Sequence, residues 1–154
     1  MQVGIRSAAL RDLEDIYRIE HECFASEAFS REQLEHILRS PGFATFVAVL
    51  DGEPIGYVTG SIRHSREESA GHVYTIDVKR TYRREGVGSR LLEALVHFFA
   101  ENGVDTCYLE VRDDNVAAKQ LYLKDGFEPL ETLKDYYGFG VDAIRLSKAL
   151  RRTR

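Results

Sequence analysis

The stretch "HVYTIDVKRTYRREGVGSRLLEALV", residues 72–96, combines a strand-like run, a basic turn with two glycines and a helix-like run. The first turn of a helix has unpaired N–H groups and the positive end of the helix dipole, so it attracts anions. Glycine lets a ligand approach the backbone closely, and arginine donates to phosphate oxygens. The stretch therefore indicates an anion site, with a charged and solvated turn as the alternative.

Two common nucleotide motifs are excluded at this turn. A P-loop needs a Gly-Lys-Ser/Thr step, which does not follow these glycines. The dinucleotide fingerprint needs a third glycine, and Leu91 stands in its place. Spacing alone leaves both the anion site and the charged turn open.

Strand-like and helix-like segments alternate on both sides of this stretch. Ser30 and Gln33 have the spacing of a capping box, and Asp51-Gly52 between two β-rich runs indicates a hairpin. Aspartates are expected to cap the last helix. Expected strands are 2–8, 43–50, 53–63, 71–79, 105–111, 127–134 and 139–148, with helices at 10–22, 30–39, 86–101 and 113–126. This order predicts an α/β (α+β) fold, a mixed sheet with helices on both faces.

Length and composition indicate one ordinary globular domain at residues 1–150 and a frayed basic tail at 151–154. The chain has 154 residues, 44% hydrophobic and 30% charged. Its net charge of −4 argues against general nucleic-acid binding. Its two cysteines are too few for a disulfide framework or a zinc cluster. With no long apolar run and no signal-peptide pattern, we expect a cytoplasmic protein without a membrane contact.

The run "RREGVG", residues 83–88, matches the Arg/Gln-x-x-Gly-x-Gly/Ala signature of the GNAT N-acetyltransferase superfamily. The opening stretch resembles that family's central strand, pyrophosphate loop and following helix. "YLEVRDDNVAAKQLYLKDGF", residues 108–127, is similar to its next strand and helix. "KDYYGFGVDAIRLSKAL", residues 134–150, resembles the closing hairpin of protein N-terminal acetyltransferases. The most similar groups are ribosomal-protein-alanine N-acetyltransferases and archaeal and eukaryotic N-terminal acetyltransferase catalytic subunits, although Ala28-Phe29 replaces the bacterial Pro-Trp.

The resemblance implies a GNAT fold, whose mixed and mostly antiparallel sheet has about seven strands. It implies acetyl-CoA as cosubstrate and no metal. Main-chain groups of a central strand would hold the acetyl carbonyl and pantetheine, and the basic turn would hold the pyrophosphate. The implied cofactor contacts are Ile76, Asp77, Val78, Arg83, Arg84, Glu85, Gly86, Val87, Gly88, Ser89, Asn115 and Tyr122. For Asn115, a simple helix cap is the alternative.

Glu110 is the predicted general base and Tyr122 the predicted general acid. Glu110 lies in an otherwise apolar strand, where partial burial would raise its pKa, and relatives have their base at this position. The alternative is an outward-facing surface glutamate. Tyr122 would protonate the departing thiolate, with a core tyrosine as the alternative.

The resemblance implies that the acceptor is a protein or peptide N-terminus, with ribosomal proteins among the candidates. Tyr136 and Tyr137 would wall the acceptor slot and Glu27 would lie beside it; aromatic packing and a surface carboxylate are the alternatives. His72 and Tyr74 alternate on the facing strand, where they can assist proton relay. Acetylation of lysines or small amines, and a non-catalytic acyl-CoA-binding module, remain open. A monomer or weak homodimer is expected.

Overall fold

Four α-helices and seven β-strands follow one another in the expected order in a computed structural model, which describes residues 2–150. The expected basic tail at 151–154 lies outside the described residues. The helices are α1 (Leu13–Cys23), α2 (Arg31–Arg39), α3 (Val87–Glu101) and α4 (Val116–Lys124). The strands are β1 (Gly4–Ser7), β2 (Phe43–Leu50), β3 (Glu53–His64), β4 (Ser69–Val78), β5 (Thr106–Arg112), β6 (Glu128–Leu133) and β7 (Ala143–Ala149). A 3-10 turn occupies Leu10–Asp12, so the first helix becomes α-helical later than expected.

Local sequence signals account for two of these boundaries. The Ser30 hydroxyl accepts a hydrogen bond from Gln33 N (3.1 Å), and the Gln33 side chain accepts one from Ser30 N (2.8 Å). This reciprocal pair confirms the capping box that begins α2. Asp51 and Gly52 have φ values of 50° and 82°, as a tight hairpin turn between β2 and β3 requires.

The prediction of aspartate caps for α4 is wrong at its N-terminus, whereas its C-cap residue is Asp125. The N-cap residue is Asn115, whose side-chain oxygen accepts a hydrogen bond from Ala118 N (3.1 Å). The carboxylate of Asp114 instead accepts from the guanidinium of Arg112, with Nε–Oδ1 and Nη2–Oδ2 distances of 3.1 Å. That ion pair uses the oxygens that would otherwise cap the helix.

The seven strands form one sheet in the order β1-β2-β3-β4-β5-β7-β6. Neighbouring strands are antiparallel except for the central pair β4 and β5, which is parallel. Strand β7 lies between β5 and β6, so the last hairpin places its second strand beside β5. The expected mixed, mostly antiparallel sheet is confirmed.

The central parallel strands separate soon after they meet. Strands β4 and β5 pair only at Ala70 with Thr106, Gly71 with Cys107 and His72 with Tyr108. Beyond these three pairs, β4 and β5 are not hydrogen-bonded to each other. The backbone groups on the facing sides of the two strands therefore have no partner across the opening and can bind a ligand.

Helices cover both faces of the sheet, as expected. Helices α1 and α2 pack on one face through the cluster Leu13, Ile16, Ile19, Leu34, Val47 and Tyr57. Helix α3 packs on the other face through Leu91, Leu92, Leu95 and Phe99, against Val58, Val73 and Leu109. Part of α4 joins this second cluster through Ala118 and Tyr122. The separated ends of β4 and β5 therefore lie between two helical layers.

The contact between β4 and α3 is close enough to exclude a side chain at Gly71. A Cβ added there would lie 2.5 Å from a ring carbon of Phe99. We expect Gly71→Ala to lower the free energy of unfolding by about 1–3 kcal/mol, because a packed core resists an added carbon. Urea unfolding measures the loss. Gly4→Ala is the control, since nothing lies within 4 Å of its added Cβ, and equal stability of both variants would contradict the packing.

Candidate active site

The basic turn before α3 presents an open helix N-terminus. Gly86 is the N-cap of α3 with φ 81°, and no side chain hydrogen-bonds at this cap. Arg84, also left-handed with φ 67°, is exposed. The N–H groups of the first turn of α3 are therefore left for a ligand. This geometry suits a phosphate group, as the sequence predicted.

The two arginines at positions 83 and 84 have different surroundings. The Arg83 Nε donates to Val78 O (3.0 Å), and its Nη2 contacts Cys23 Sγ (3.3 Å). Arg83 thus ties the turn to the end of β4 and to α1. No contact of this kind is seen for Arg84 within residues 2–150, so its guanidinium remains free to pair with an anion. Ser89 points elsewhere, its hydroxyl donating to the Asp125 carboxylate (3.1 Å).

Gly88 faces the gap between β4 and α4. A Cβ added to Gly88 would meet Leu121 at 3.5 Å, Val78 at 3.9 Å and Ile76 at 4.0 Å. These are ordinary contact distances, so the position has room for one more carbon but borders the opening beside β4. A narrow cleft with an open helix N-terminus at its mouth fits the elongated pantetheine arm and pyrophosphate of acetyl-CoA.

Tyr122 lies on α4 at this cleft. It is partly buried and packs against Phe127, with ring centroids 6.1 Å apart. Burial first, and then the nearby Tyr137 and Asp77, raise the pKa of the Tyr122 phenol above its ordinary value. A phenol in this setting stays protonated and can donate a proton. The Tyr122 ring can therefore pack against Phe127 while its hydroxyl donates a proton.

Glu110 lies at the point where β4 and β5 separate, and its side chain is 7% exposed. Its Oε1 is 2.6 Å from His72 Nε2 on β4, and its Oε2 accepts from Arg145 Nε on β7 (3.0 Å). Burial raises the pKa of Glu110, but the hydrogen bonds and charges of His72 and Arg145 together outweigh it, so the pKa is lowered. The expectation of a raised pKa is wrong. Glu110 is an ionised carboxylate at neutral pH.

A cavity of about 440 Å³ opens beside this carboxylate. Its lining includes His72, Tyr74, Glu110, Tyr136 and Arg145. The His72 and Tyr74 rings are in edge contact, with centroids 4.4 Å apart. The cavity therefore has one ionised carboxylate, one imidazole and aromatic walls, which suit an amine.

Of the predicted acceptor residues, Tyr136 lines this cavity. Tyr136 and Tyr137 lie in the connection between β6 and β7, edge to face with ring centroids 5.0 Å apart, and both are more than 40% exposed. Burial and then Tyr136 raise the pKa of Tyr137 to about 12. Glu27 is exposed in the connection between α1 and α2, with its Oε1 4.0 Å from the Arg112 guanidinium at the end of β5. The structure thus brings the predicted residues to one edge of the sheet.

Arg145 is the residue at this site that the sequence did not indicate. Its register places it opposite Glu110, and it also lies 3.5 Å from Glu131. Alternation along β7 places Arg145 and Ser147 on the same face of the strand. The sequence does not show that β7 pairs with β5 as well as with β6, because that pairing forms only in the folded protein. No pattern within the last hairpin reveals that neighbour.

Removing Arg145 is expected to destabilise the protein in a pH-dependent way. The pKa of Glu110 is lower in the folded protein than in the unfolded chain, so its ion pairs add stability above the ordinary carboxyl pKa. That stability is lost as pH falls through the folded pKa. Arg145→Met should cost about 1–3 kcal/mol at pH 7, and the deficit should shrink toward pH 3.

Urea unfolding at several pH values measures this deficit. Arg63→Met is the matched control, because Arg63 is an exposed arginine lining the same cavity. A deficit that stays constant from pH 7 to pH 3 would show that Arg145 does not act through the Glu110 charge.

These features together define an enzyme that transfers an acyl group from a coenzyme A thioester to an amine. The turn before α3 presents an open helix N-terminus, and an ionised carboxylate lies beside a cavity where β4 and β5 separate. Among residues 2–150, no group of three or more His, Cys, Asp and Glu side chains is arranged to hold a metal ion. None of the helices in the described part of the chain is long and apolar enough to span a membrane.

Comparison with known proteins agrees with this class. The sequence pattern of the Acetyltransferase (GNAT) family matches residues 10–127, and the chain belongs to that family. It is a GNAT N-acetyltransferase, and members of the family use acetyl-CoA. The resemblance inferred from the opening stretch is confirmed.

Relatives and solved structures extend the likeness to nearly the whole chain. The chain is 34% identical over 155 residues to an N-alpha-acetyltransferase of Sulfurisphaera tokodaii, covering 95% of this chain and 92% of the relative. Ard1 from Thermoplasma volcanium superposes with a TM-score of 0.86 at 27% identity, covering 99% of this chain and all of the other. The ribosomal-protein-S18-alanine N-acetyltransferase of Escherichia coli gives 0.85 at 25% identity, covering 99% and 97%.

Proposed function

We propose that this enzyme transfers the acetyl group of acetyl-CoA to the N-terminal α-amine of proteins or peptides. The observation that carries the proposal is the ionised Glu110 carboxylate, hydrogen-bonded to His72, beside a cavity at the point where β4 and β5 separate. The similarity to N-alpha-acetyltransferases over nearly the full chain supports the same acceptor.

The lowered pKa of Glu110 favours an α-amine over a lysine side chain. An α-amine has an ordinary pKa of about 8, whereas lysine has about 10.4, so far more of the α-amine is already neutral near pH 7. A carboxylate whose pKa is lowered is a weak base. It suffices to accept the proton that the attacking amine releases, directly or through a water, but it is poorly suited to deprotonate a lysine.

The reaction proceeds by direct attack of the amine on the acetyl carbonyl. A new N–C bond forms, the C–S bond breaks, and Glu110 accepts the proton from nitrogen. Tyr122, kept protonated by its surroundings, supplies a proton to the departing sulfur. His72 holds one carboxylate oxygen of Glu110, so the base is oriented toward the cavity.

The cofactor is assigned to the cleft between β4 and α4. Unpaired main-chain groups of β4 would hold the acetyl carbonyl and pantetheine, and the turn before α3 would hold the pyrophosphate through its N–H groups and the Arg84 guanidinium. Arg83 would act by holding that turn against β4, since its donors contact Val78 and Cys23. The assigned residues are Ile76, Asp77, Val78, Arg83, Arg84, Glu85, Gly86, Val87, Gly88 and Asn115. Ser89 would contribute only its main chain, because its hydroxyl donates to Asp125.

The acceptor N-terminus is assigned to the cavity edge formed by Tyr136, Tyr137 and Glu27. The exposed tyrosine rings would pack on the first residue of the acceptor. Glu27, which lies 4.0 Å from Arg112 at the end of β5, would face its backbone or amine.

A library of short peptides incubated with the enzyme and acetyl-CoA tests the proposal. Half of the peptides have free N-termini without lysine, and half have blocked N-termini with free lysines. Mass spectrometry is expected to find the acetyl group on α-amines. Acetylation confined to lysine side chains would contradict the proposal.

A further inference from the structure

Two carboxyl groups lie buried between α1 and β4. Glu20 on α1 is 2% exposed and Asp77 on β4 is 1% exposed. The proposed mechanism uses the Asp77 main chain but neither carboxyl. Burying a carboxylate is costly unless it is paired, so this pair requires a physical account.

The hydrogen bonds of the pair are unequal. Glu20 Oε2 accepts from Phe29 N (2.9 Å), and Glu20 Oε1 accepts from the Tyr57 hydroxyl. Asp77 Oδ1 accepts from the Thr75 hydroxyl (2.6 Å), while Asp77 Oδ2 is buried without a hydrogen-bond partner among the described residues. Both oxygens of Glu20 therefore accept a hydrogen bond, whereas only one oxygen of Asp77 does.

The surrounding charges do not permit both carboxyls to ionise at low cost. Burial first, and then the adjacent Glu20, raise the pKa of Asp77 well above its ordinary value. Arg83 faces Asp77 and opposes this shift, but it is engaged with Val78 O. The other facing titratable groups, Cys23 on α1, Tyr57 on β3 and Tyr122 on α4, are neutral because burial raises the pKa of each.

We propose that Asp77 retains a proton on Oδ2 and donates it in a hydrogen bond to Glu20. This hydrogen bond holds the connection between α1 and α2, on the acceptor side of the site, against β4, which is assigned to the cofactor. Glu20 binds the main chain of Phe29, in the connection between α1 and α2 that also contains Glu27. Asp77 belongs to the segment of β4 assigned to acetyl-CoA. Asp77 and Glu20 are thus positioning residues that join the walls of the two substrate sites. The kinetic part of this inference rests on the proposed function.

A shared proton predicts unequal effects for two isosteric substitutions. Asp77→Asn keeps an N–H donor toward Glu20 and an oxygen toward Thr75, so it mimics the protonated acid. Glu20→Gln turns one acceptor into an NH₂ group, which leaves Phe29 N–H or the Tyr57 hydroxyl without its acceptor. We expect Asp77→Asn to retain Tm within about 2 °C at pH 6, and Glu20→Gln to lose at least about 4 °C.

The pH dependence gives a second readout that a purely structural hydrogen bond would not. Because the pKa of Asp77 is higher in the folded protein, the folded state holds a proton that the unfolded state releases, so stability falls as pH rises. An asparagine side chain does not release a proton in this pH range, so Asp77→Asn lacks this loss of stability. The Tm of Asp77→Asn relative to the wild type is therefore expected to rise by a few degrees from pH 6 to pH 9.

Thermal melts of the full chain at pH 6 and pH 9 need no substrate and test the proton by themselves. Equal losses in both isosteric variants, or a Tm difference between Asp77→Asn and the wild type that does not change with pH, would overturn the shared proton. Failure of peptide acetylation would leave these melts unaffected, so the two proposals can fail separately.

Kinetics then test the positioning role. Asp77→Ala removes the donor, and we expect KM for peptide and for acetyl-CoA to rise about 3–10-fold with a smaller change in kcat, because substrate geometry is set by both walls. Asp77→Asn should restore both KM values to within about twofold of the wild type. An unchanged KM in Asp77→Ala, or no rescue by asparagine, would overturn the role. Calorimetric titration measures the affinity of each variant for acetyl-CoA, and so tests the cofactor side of the site even if no peptide is acetylated.

Discussion

Replacing Glu110 by glutamine is expected to lower kcat about 10²–10⁴-fold, the usual contribution of a positioned general base. Glutamine has the same shape but cannot accept the proton released by the attacking amine. Glu110 is held between His72 (2.6 Å) and Arg145 (3.0 Å) at the edge of the acceptor cavity. The affinity for acetyl-CoA should stay within about twofold, because the cofactor is assigned to the opposite side of the cleft.

Single-turnover kinetics with a good peptide substrate measure the loss, and calorimetry measures the acetyl-CoA affinity. Glu128→Gln is the matched control, since Glu128 is an exposed glutamate on β6, which β7 separates from the strand of Glu110. Its kcat should equal that of the wild type. Undiminished turnover by Glu110→Gln would remove Glu110 as the base, whereas a parallel loss of acetyl-CoA affinity would indicate a disturbed fold.

Gly88→Leu is expected to weaken acetyl-CoA binding about 100-fold or more, because the side chain occupies space that the ligand needs. The added side chain points into the gap bordered by Ile76, Val78 and Leu121, all at least 3.5 Å from the new Cβ. Leucine is a better helix former than glycine, which offsets part of the cost of placing three further carbons among these side chains. The loss of acetyl-CoA affinity should thus be larger than the loss of stability.

Calorimetric titration with acetyl-CoA and a thermal melt of the same sample measure the two effects. Gly88→Ala is the control, because one carbon at ordinary contact distance leaves the gap largely open. It should bind acetyl-CoA almost as well as the wild type. If Gly88→Leu binds acetyl-CoA normally, the cofactor does not occupy this cleft.

Most of the fold could be predicted from local patterns. The capping box at Ser30 and the Asp51-Gly52 turn depend on residues a few positions apart, so the chain itself displays them. The helix after Gly86 shows its buried stripe in the same way, at Val87, Leu91, Leu92, Leu95 and Phe99. At the start of α4 two aspartates and one asparagine compete, and the cap is Asn115, which the sequence had offered only as the alternative. Arg112 pairs with Asp114 and so takes that carboxylate away from the helix end.

The candidate site was only partly predictable. The anion-binding turn is a contiguous motif, and Glu110 and Tyr122 could be proposed from a resemblance within one stretch. The charge state of Glu110 could not be predicted from the sequence, because its partners His72 and Arg145 lie 38 and 35 residues away in the chain. The buried Glu20 and Asp77 pair is separated by 57 positions and has no sequence signal of its own.

The sequence by itself determined the order of helices and strands and the glycine turn before α3, because each depends on short-range spacing of residue types. The acetyltransferase class came from the resemblance of contiguous stretches to a known family. Tertiary structure alone decided which strand pairs with which, and through this the ionised state of Glu110 and the proton assigned to Asp77. A pKa is set by burial and by charges within a few ångströms. Those neighbours come from strands and helices far apart in the chain, and only folding brings them together.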